Sequence, residues 1–146
     1  MRWLSPLIVL AASCGDEGPS PVFPESWASS YTEVRNCRSS GDHELNKVRV
    51  LVDAAALAPY MTRAQPFPVG SVVLKAEYDF ADGNCSGPPV GWTVMQKAGT
   101  PENLGWVWQK VDAGRGVESE NDPQCVQCHT DCGVAPDGYD GTCTVP

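Results

Sequence analysis

The clearest period in this chain is two. From Gly70 onward, Val72, Leu74, Ala76, Tyr78 and Phe80 alternate with Val73, Lys75, Glu77 and Asp79, so each set lies on one side of an extended strand. Gly91-Trp92-Thr93-Val94-Met95-Gln96-Lys97 and Trp106-Val107-Trp108-Gln109-Lys110-Val111 predict two more strands. Val48, Val50 and Val52, alternating with Arg49 and Leu51, predict another. Asp82-Gly83-Asn84 and Gly87-Pro88-Pro89 mark loops. Such short connections favour antiparallel pairing, because a parallel crossover needs about a dozen residues or more. Helical signals are brief. Pro24 opens a helix with Trp27 and Tyr31 on one face, and Asp53 caps Ala54-Ala55-Ala56-Leu57, which Pro59 is expected to stop. The expected fold class is α+β and β-rich, a mostly antiparallel sheet with short helices.

The ends of the chain read differently. Arg2, the short apolar run Trp3 to Ala12 and the small residues Ala11, Ala12 and Ser13 have the layout of a signal peptide over residues 1–13. The run is too short to span a bilayer, which takes about 20 residues. Leu10-Ala11-Ala12-Ser13-Cys14 also resembles a bacterial lipobox, with Ala11 where leucine is usual. Cys14 is then the lipidation site, and the alternative is a soluble periplasmic protein with an incidental thiol at Cys14. Residues 14–24, rich in Gly, Pro and acidic side chains, suit a tether, because they bury too little apolar surface to offset ordering entropy. Residues 25–146 form a single domain. Export to the periplasm, with membrane association only through a lipid anchor, is the expected location. The net charge of -8 and the absence of a Lys/Arg cluster argue against nucleic acid as a partner.

The chemistry concentrates near the C-terminus. Cys125-Val126-Gln127-Cys128-His129 is the attachment sequence of a c-type haem. Residues three apart on a helical turn face one way, so both thiols reach the two vinyl groups of one haem. The adjacent imidazole then lies under the ring as the iron ligand. Two other readings compete. Cys125, Cys128, His129 and Cys132 could form a zinc site, although structural zinc sites usually join two separated ligand pairs. A thioredoxin-like redox pair expects a βαβ pattern that is missing here.

The seven cysteines fit one covalent haem. With Cys14 lipidated and Cys125 and Cys128 carrying haem, Cys37, Cys85, Cys132 and Cys143 remain as disulfide candidates, open to three pairings. Cys132 with Cys143 would close a turn-rich loop, leaving Cys37 with Cys85. Little chain follows His129, and it holds no Met or His. A sixth iron ligand must therefore come from His43 or Met95. His43 reads first as a solvated histidine in the polar loop Ser39-Ser40-Gly41-Asp42, and Met95 as core packing. The expectation is a five-coordinate haem open to small ligands, with a six-coordinate electron carrier as the alternative.

Phe67-Pro68-Val69-Gly70-Ser71-Val72-Val73-Leu74-Lys75, Val94-Met95-Gln96-Lys97, Gly105-Trp106-Val107-Trp108 and Cys125 to His129, in that order and spacing, resemble the cytochrome P-460 family from about Trp27 to His129. The resemblance implies a haem c domain, often dimeric, whose enzymatic members oxidise hydroxylamine with a lysine cross-linked to the porphyrin and a distal carboxylate. Related c′-beta cytochromes bind nitric oxide without the cross-link. A small nitrogenous ligand or substrate and a redox partner protein are the implied partners. Lys75 matches the family lysine, though Ala76 follows it where many relatives have Glu; the plain alternative is a solvated strand lysine. Glu118 and Glu120 are the candidates for the carboxylate, with loop acids facing water as their alternative. Trp106 and Trp108 share a face, either as haem wall or as core.

Overall fold

The computed structural model describes residues 18–41 and 43–143. The leader, Cys14 and the first residues of the expected tether lie outside the described residues. Six strands form one antiparallel sheet in chain order: β1 (Thr32–Ser39), β2 (Lys47–Val52), β3 (Val72–Tyr78), β4 (Gly91–Lys97), β5 (Trp106–Asp112) and β6 (Val117–Glu120). Around it lie α1 (Trp27–Ser30), α2 (Ala54–Thr62), the 3₁₀ turn Glu102–Gly105 and α3 (Pro123–Cys132). Among the described residues no helix is long and apolar enough to cross a membrane.

Register sorts the side chains into two faces. Lys75 lies opposite both Val50 and Thr93, Met95 opposite Trp108, and Lys110 opposite Ser119. Period-two alternation then sends Leu51, Val72, Leu74, Ala76, Tyr78, Trp92, Val94 and Val111 to the first face, where Phe23 completes a closed core. Leu74 is fully buried there, and burial of such a side chain is worth about 1.5–3 kcal/mol. Cys37 and Cys85 are joined beneath that core. On the second face, Val50, Val52, Val73, Met95, Trp106 and Trp108 pack with Ala56 and Tyr60 of α2 and with Phe67.

Several sequence expectations are corrected. Helix α2 continues through Pro59 to Thr62 rather than stopping there. Pro59 removes one backbone donor, but Ala56, Pro59 and Tyr60 are all buried, and the helix ends at Arg63, whose left-handed backbone (φ 53°) directs its N–H to the Pro59 carbonyl. Phe80 lies beyond β3 and is 64% exposed. The packed chain also begins inside the expected tether: Phe23 is in the first core, and the Val22 N–H donates to Gln109 Oε1 at 2.9 Å. β1 and β6 have no counterpart among the expected strands.

Candidate functional site

Helix α3 carries the Cys125-to-His129 motif. Asp122 caps it, its Oδ1 accepting the Gln124 N–H at 2.8 Å, and Pro123 occupies the first turn, where a missing N–H costs nothing. No residue of α3 is fully buried. Its role is to present side chains to a cavity of about 590 Å³ between it and the second face of the sheet. Val50, Val73, Met95 and Trp108 supply apolar wall, and Cys125, Cys128 and His129 supply the opposite side. That volume lies in the range of about 300–1,000 Å³ usual for cofactor sites.

Among the described residues Cys125 and Cys128 have no disulfide partner. Burial, with the Asp122 charge second, pushes the Cys125 thiol up, so without a bound group it stays a neutral thiol. Cys132 and Cys143 are joined to each other. Their sulfurs lie within 4.8 Å of a His129 ring nitrogen, but a disulfide sulfur is no thiolate ligand. The Cys₃His zinc reading therefore loses Cys132, and the donor set that remains, two thiols and one imidazole on a single helical turn, fits haem c.

His129 is aimed by the loop that follows it. Its Nδ1 lies 2.6 Å from the Gly141 carbonyl oxygen. A carbonyl only accepts, so Nδ1 carries the proton and Nε2 keeps its lone pair for a metal. The imidazole stacks edge-on against Trp108, with ring centroids 4.5 Å apart. Burial pulls it down to about 4, against the lift from the Gly141 hydrogen bond, which favours the neutral form, the one able to ligate a metal, at pH 7. Gly141 sits at φ +84°, and a Cβ there would lie 2.9 Å from Trp106 Nε1, so only glycine brings this carbonyl into place. The loop is fixed further by Trp106 Nε1 donating to the Asp140 carbonyl at 2.8 Å and by the Lys97–Asp140 ion pair at 2.8 Å.

Of the other expected residues, Lys75 lines the cavity, its Nζ 2.6 Å from His43 Nε2. His43 is not a solvated loop histidine. It enters the cavity at 20% side-chain exposure, its Nδ1 3.6 Å from Glu77 Oε1. Met95 belongs to the second core and also borders the cavity. Trp106 is core, whereas Trp108 is both core and cavity wall. Glu118 and Glu120 are not brought to the cavity. Glu118 lies at a register shift in β6, 3.6 Å from Lys110 Nζ, and Glu120 turns to the first face, accepting from Gln109 Nε2 at 2.9 Å.

The carboxylate that does border the cavity is Glu77, 4% exposed. Burial raises its carboxyl, but hydrogen bonding from His43, with help from Asn46 and Thr93, outweighs that and holds it below the usual carboxylate range. Its place on the face of Lys75 was legible from alternation; its contact with His43 was not, because that depends on how the β1–β2 loop folds back.

The antiparallel, β-rich domain sets a thiol–imidazole turn against a cofactor-sized cavity, an arrangement that suits a covalently held haem. The family model for cytochrome P460 matches residues 24–135, and the chain belongs to that family. Among curated proteins no match was found.

Proposed function

We infer that Cys125 and Cys128 hold one haem through two thioethers, with His129 Nε2 as the iron ligand and the sixth position open to a small nitrogenous molecule. The observation that carries this reading is the pairing of two unpaired thiols with an imidazole whose Nδ1 is already committed to Gly141. Each thioether forms by addition of S–H across a vinyl double bond, with sulfur on one carbon and hydrogen on the other. The haem iron supplies the redox chemistry, and in an open site that chemistry acts on hydroxylamine or a related small nitrogen oxide. Trp108 and Gly141 orient His129, and Val50, Val73 and Met95 limit water. The chain is exported and held at the bacterial membrane through lipid on Cys14, where an external redox protein takes the electrons.

A second reading has its own support. Lys75 Nζ is in hydrogen-bond contact with the lone-pair nitrogen of His43, and an ammonium engaged in this way is not a nucleophile toward a porphyrin edge. Binding of nitric oxide without a cross-link and without turnover is the function that follows from that arrangement.

The test uses the full chain matured with haem-attachment machinery. The expected product keeps the added mass of one haem after denaturation, loses it when Cys125→Ser and Cys128→Ser are combined, and has a five-coordinate ferrous spectrum. A Soret band that is red-shifted in the wild type and normal in Lys75→Met, together with hydroxylamine turnover, supports the enzyme. An unshifted band with nitric oxide binding supports the second reading. Colourless or zinc-loaded wild-type protein overturns both.

A further inference from the structure

The thioether turn and the ligating histidine leave a set of polar side chains on the same cavity unexplained. His43 reaches in from the β1–β2 loop and is held at both ring nitrogens. Nε2 lies 2.6 Å from Lys75 Nζ, and Nδ1 lies 3.5 Å from Thr93 Oγ1 and 3.6 Å from Glu77 Oε1. An ammonium can only donate, so Nε2 accepts from Lys75, which puts the ring proton on Nδ1, toward the carboxylate. Glu77 is 4% exposed, and its buried Oε1 faces the His43 ring, 3.6 Å from Nδ1. A carboxylate in that state is an anchor for an imidazole, because leaving it unpaired costs more than an ordinary hydrogen bond returns. Its other oxygen accepts from Asn46 Nδ2 at 3.3 Å. Glu77 thus ties the ring to the sheet, although His43 itself belongs to a loop.

His129 enters the cavity from α3, whereas His43, Lys75 and Glu77 enter from the sheet and the loop at its edge. The wall between them at Val50, Val73 and Met95 offers no side-chain donor.

We propose that His43, oriented by Glu77 and joined to Lys75, is the group that hydrogen-bonds a small ligand on the iron, on the side away from His129. The ligand class is a diatomic or hydroxylamine-like molecule whose outer atom carries partial negative charge. His43 and Lys75 form the contact, and Glu77 is a positioning residue that acts through the ring. This rests on the haem reading above. With a ligand present, the Lys75–His43 hydrogen bond opens and one of the pair turns its N–H toward the ligand.

Carbon monoxide bound to the ferrous holoprotein is the probe, read by its infrared stretch and its dissociation rate. His43→Leu is expected to raise the stretching frequency and to speed dissociation roughly two- to tenfold, the worth of one hydrogen bond. His43→Gln, which keeps a donor, should fall between wild type and His43→Leu. Glu77→Gln should shift the stretch in the same direction by less, as the ring loses its anchor but stays in the cavity. An unchanged stretch in both His43→Leu and His43→Gln, with thioether haem intact, overturns this proposal and leaves the haem reading standing. A low-spin wild-type ferric spectrum that becomes high-spin in His43→Leu overturns it too, because His43 would then be an iron ligand. Wild-type protein that matures without haem removes the haem reading and this proposal together.

Discussion

The same strands build two unlike faces. On the first, β3 and β4 send Leu74, Ala76, Tyr78, Trp92 and Val94 into a core closed by Phe23, whose ring lies 5.5 Å from that of Trp92. On the second, the residues between them are Val73, Lys75, Glu77, Thr93 and Met95, apolar near α2 and polar toward the β1–β2 loop. The first face is filled with side chains. The second is filled only where α2 and Phe67 cover it, and elsewhere it opens into the cavity before α3. The difference shows that a period-two strand can carry structure and function at once, since alternate residues answer to separate demands. It also locates polar residues whose presence packing does not require: Lys75, Glu77 and Thr93 lie in the central strands of the sheet, where apolar side chains are the rule.

If the two faces are separable, a substitution on the first should change stability and not the site. Leu74→Ala is the sharpest case, because Leu74 is 0% exposed and its side chain belongs to the first core. The expected loss is about 2–5 kcal/mol, from lost transfer energy and the hole left behind. Urea unfolding of the holoprotein measures it. The folded fraction should keep its haem mass and ferrous spectrum unchanged. A spectral change equal to that of a cavity-face variant would show that the sheet transmits packing defects across its thickness, and the comparison would fail.

The faces differ as well in how they are tied down. The first holds the Cys37–Cys85 link under its core, whereas Cys132–Cys143 brackets the loop whose Gly141 carbonyl accepts from His129. Gly141→Ala tests that loop directly. The alanine must hold a backbone φ of +84°, and its Cβ would meet Trp106 Nε1 at 2.9 Å, for a cost of about 1–3 kcal/mol. The larger consequence is local: if the carbonyl moves, the His129 Nδ1–H loses its acceptor and the imidazole becomes a weaker ligand. The ferrous Soret position and the reduction potential should shift, while a first-face substitution of equal destabilisation leaves both in place.

How legible all this was in the sequence follows from position in the sheet. β3, β4 and β5 are flanked on both edges, so their patterns are long and apolar, and alternation alone sorted Lys75 and Glu77 from Leu74 and Ala76. β1 and β6 are the edges. Thr32–Ser39 pairs with β2 through two register shifts, and Val117–Glu120 is four residues of mixed polarity. Edge strands are kept short, charged and bulged so that they do not recruit other chains, and those features erase a period-two signal. The Cys125-to-His129 motif was legible because its residue types and their spacing are specific together. His43 was not, because the mostly polar run between β1 and β2 says nothing about which way that loop folds. In α2 the sequence shows the local breaker Pro59 but not the buried face of Ala56, Pro59 and Tyr60 that outvotes it.

The smallest expected effects separate the two faces most finely. Glu118→Gln removes an ion pair whose partners are 47% and 39% exposed, and such pairs are worth about 0–1 kcal/mol. Glu120→Gln keeps an amide oxygen that still accepts from Gln109, a 3% exposed side chain that also holds the Val22 N–H and the Ser20 carbonyl. Each variant should therefore leave stability within about 1 kcal/mol of wild type. The same two substitutions should leave the carbon monoxide stretch and any hydroxylamine turnover unchanged, in contrast to Glu77→Gln. This is a test of register as much as of chemistry. Ser119 opposes Lys110 and Glu120 opposes Gln109, so one residue of slip in β6 would exchange their faces and carry Glu120 to the cavity. A turnover defect in Glu120→Gln with stability intact would mean that the working protein has made that slip, and that a carboxylate of an edge strand reaches the cavity beside Glu77.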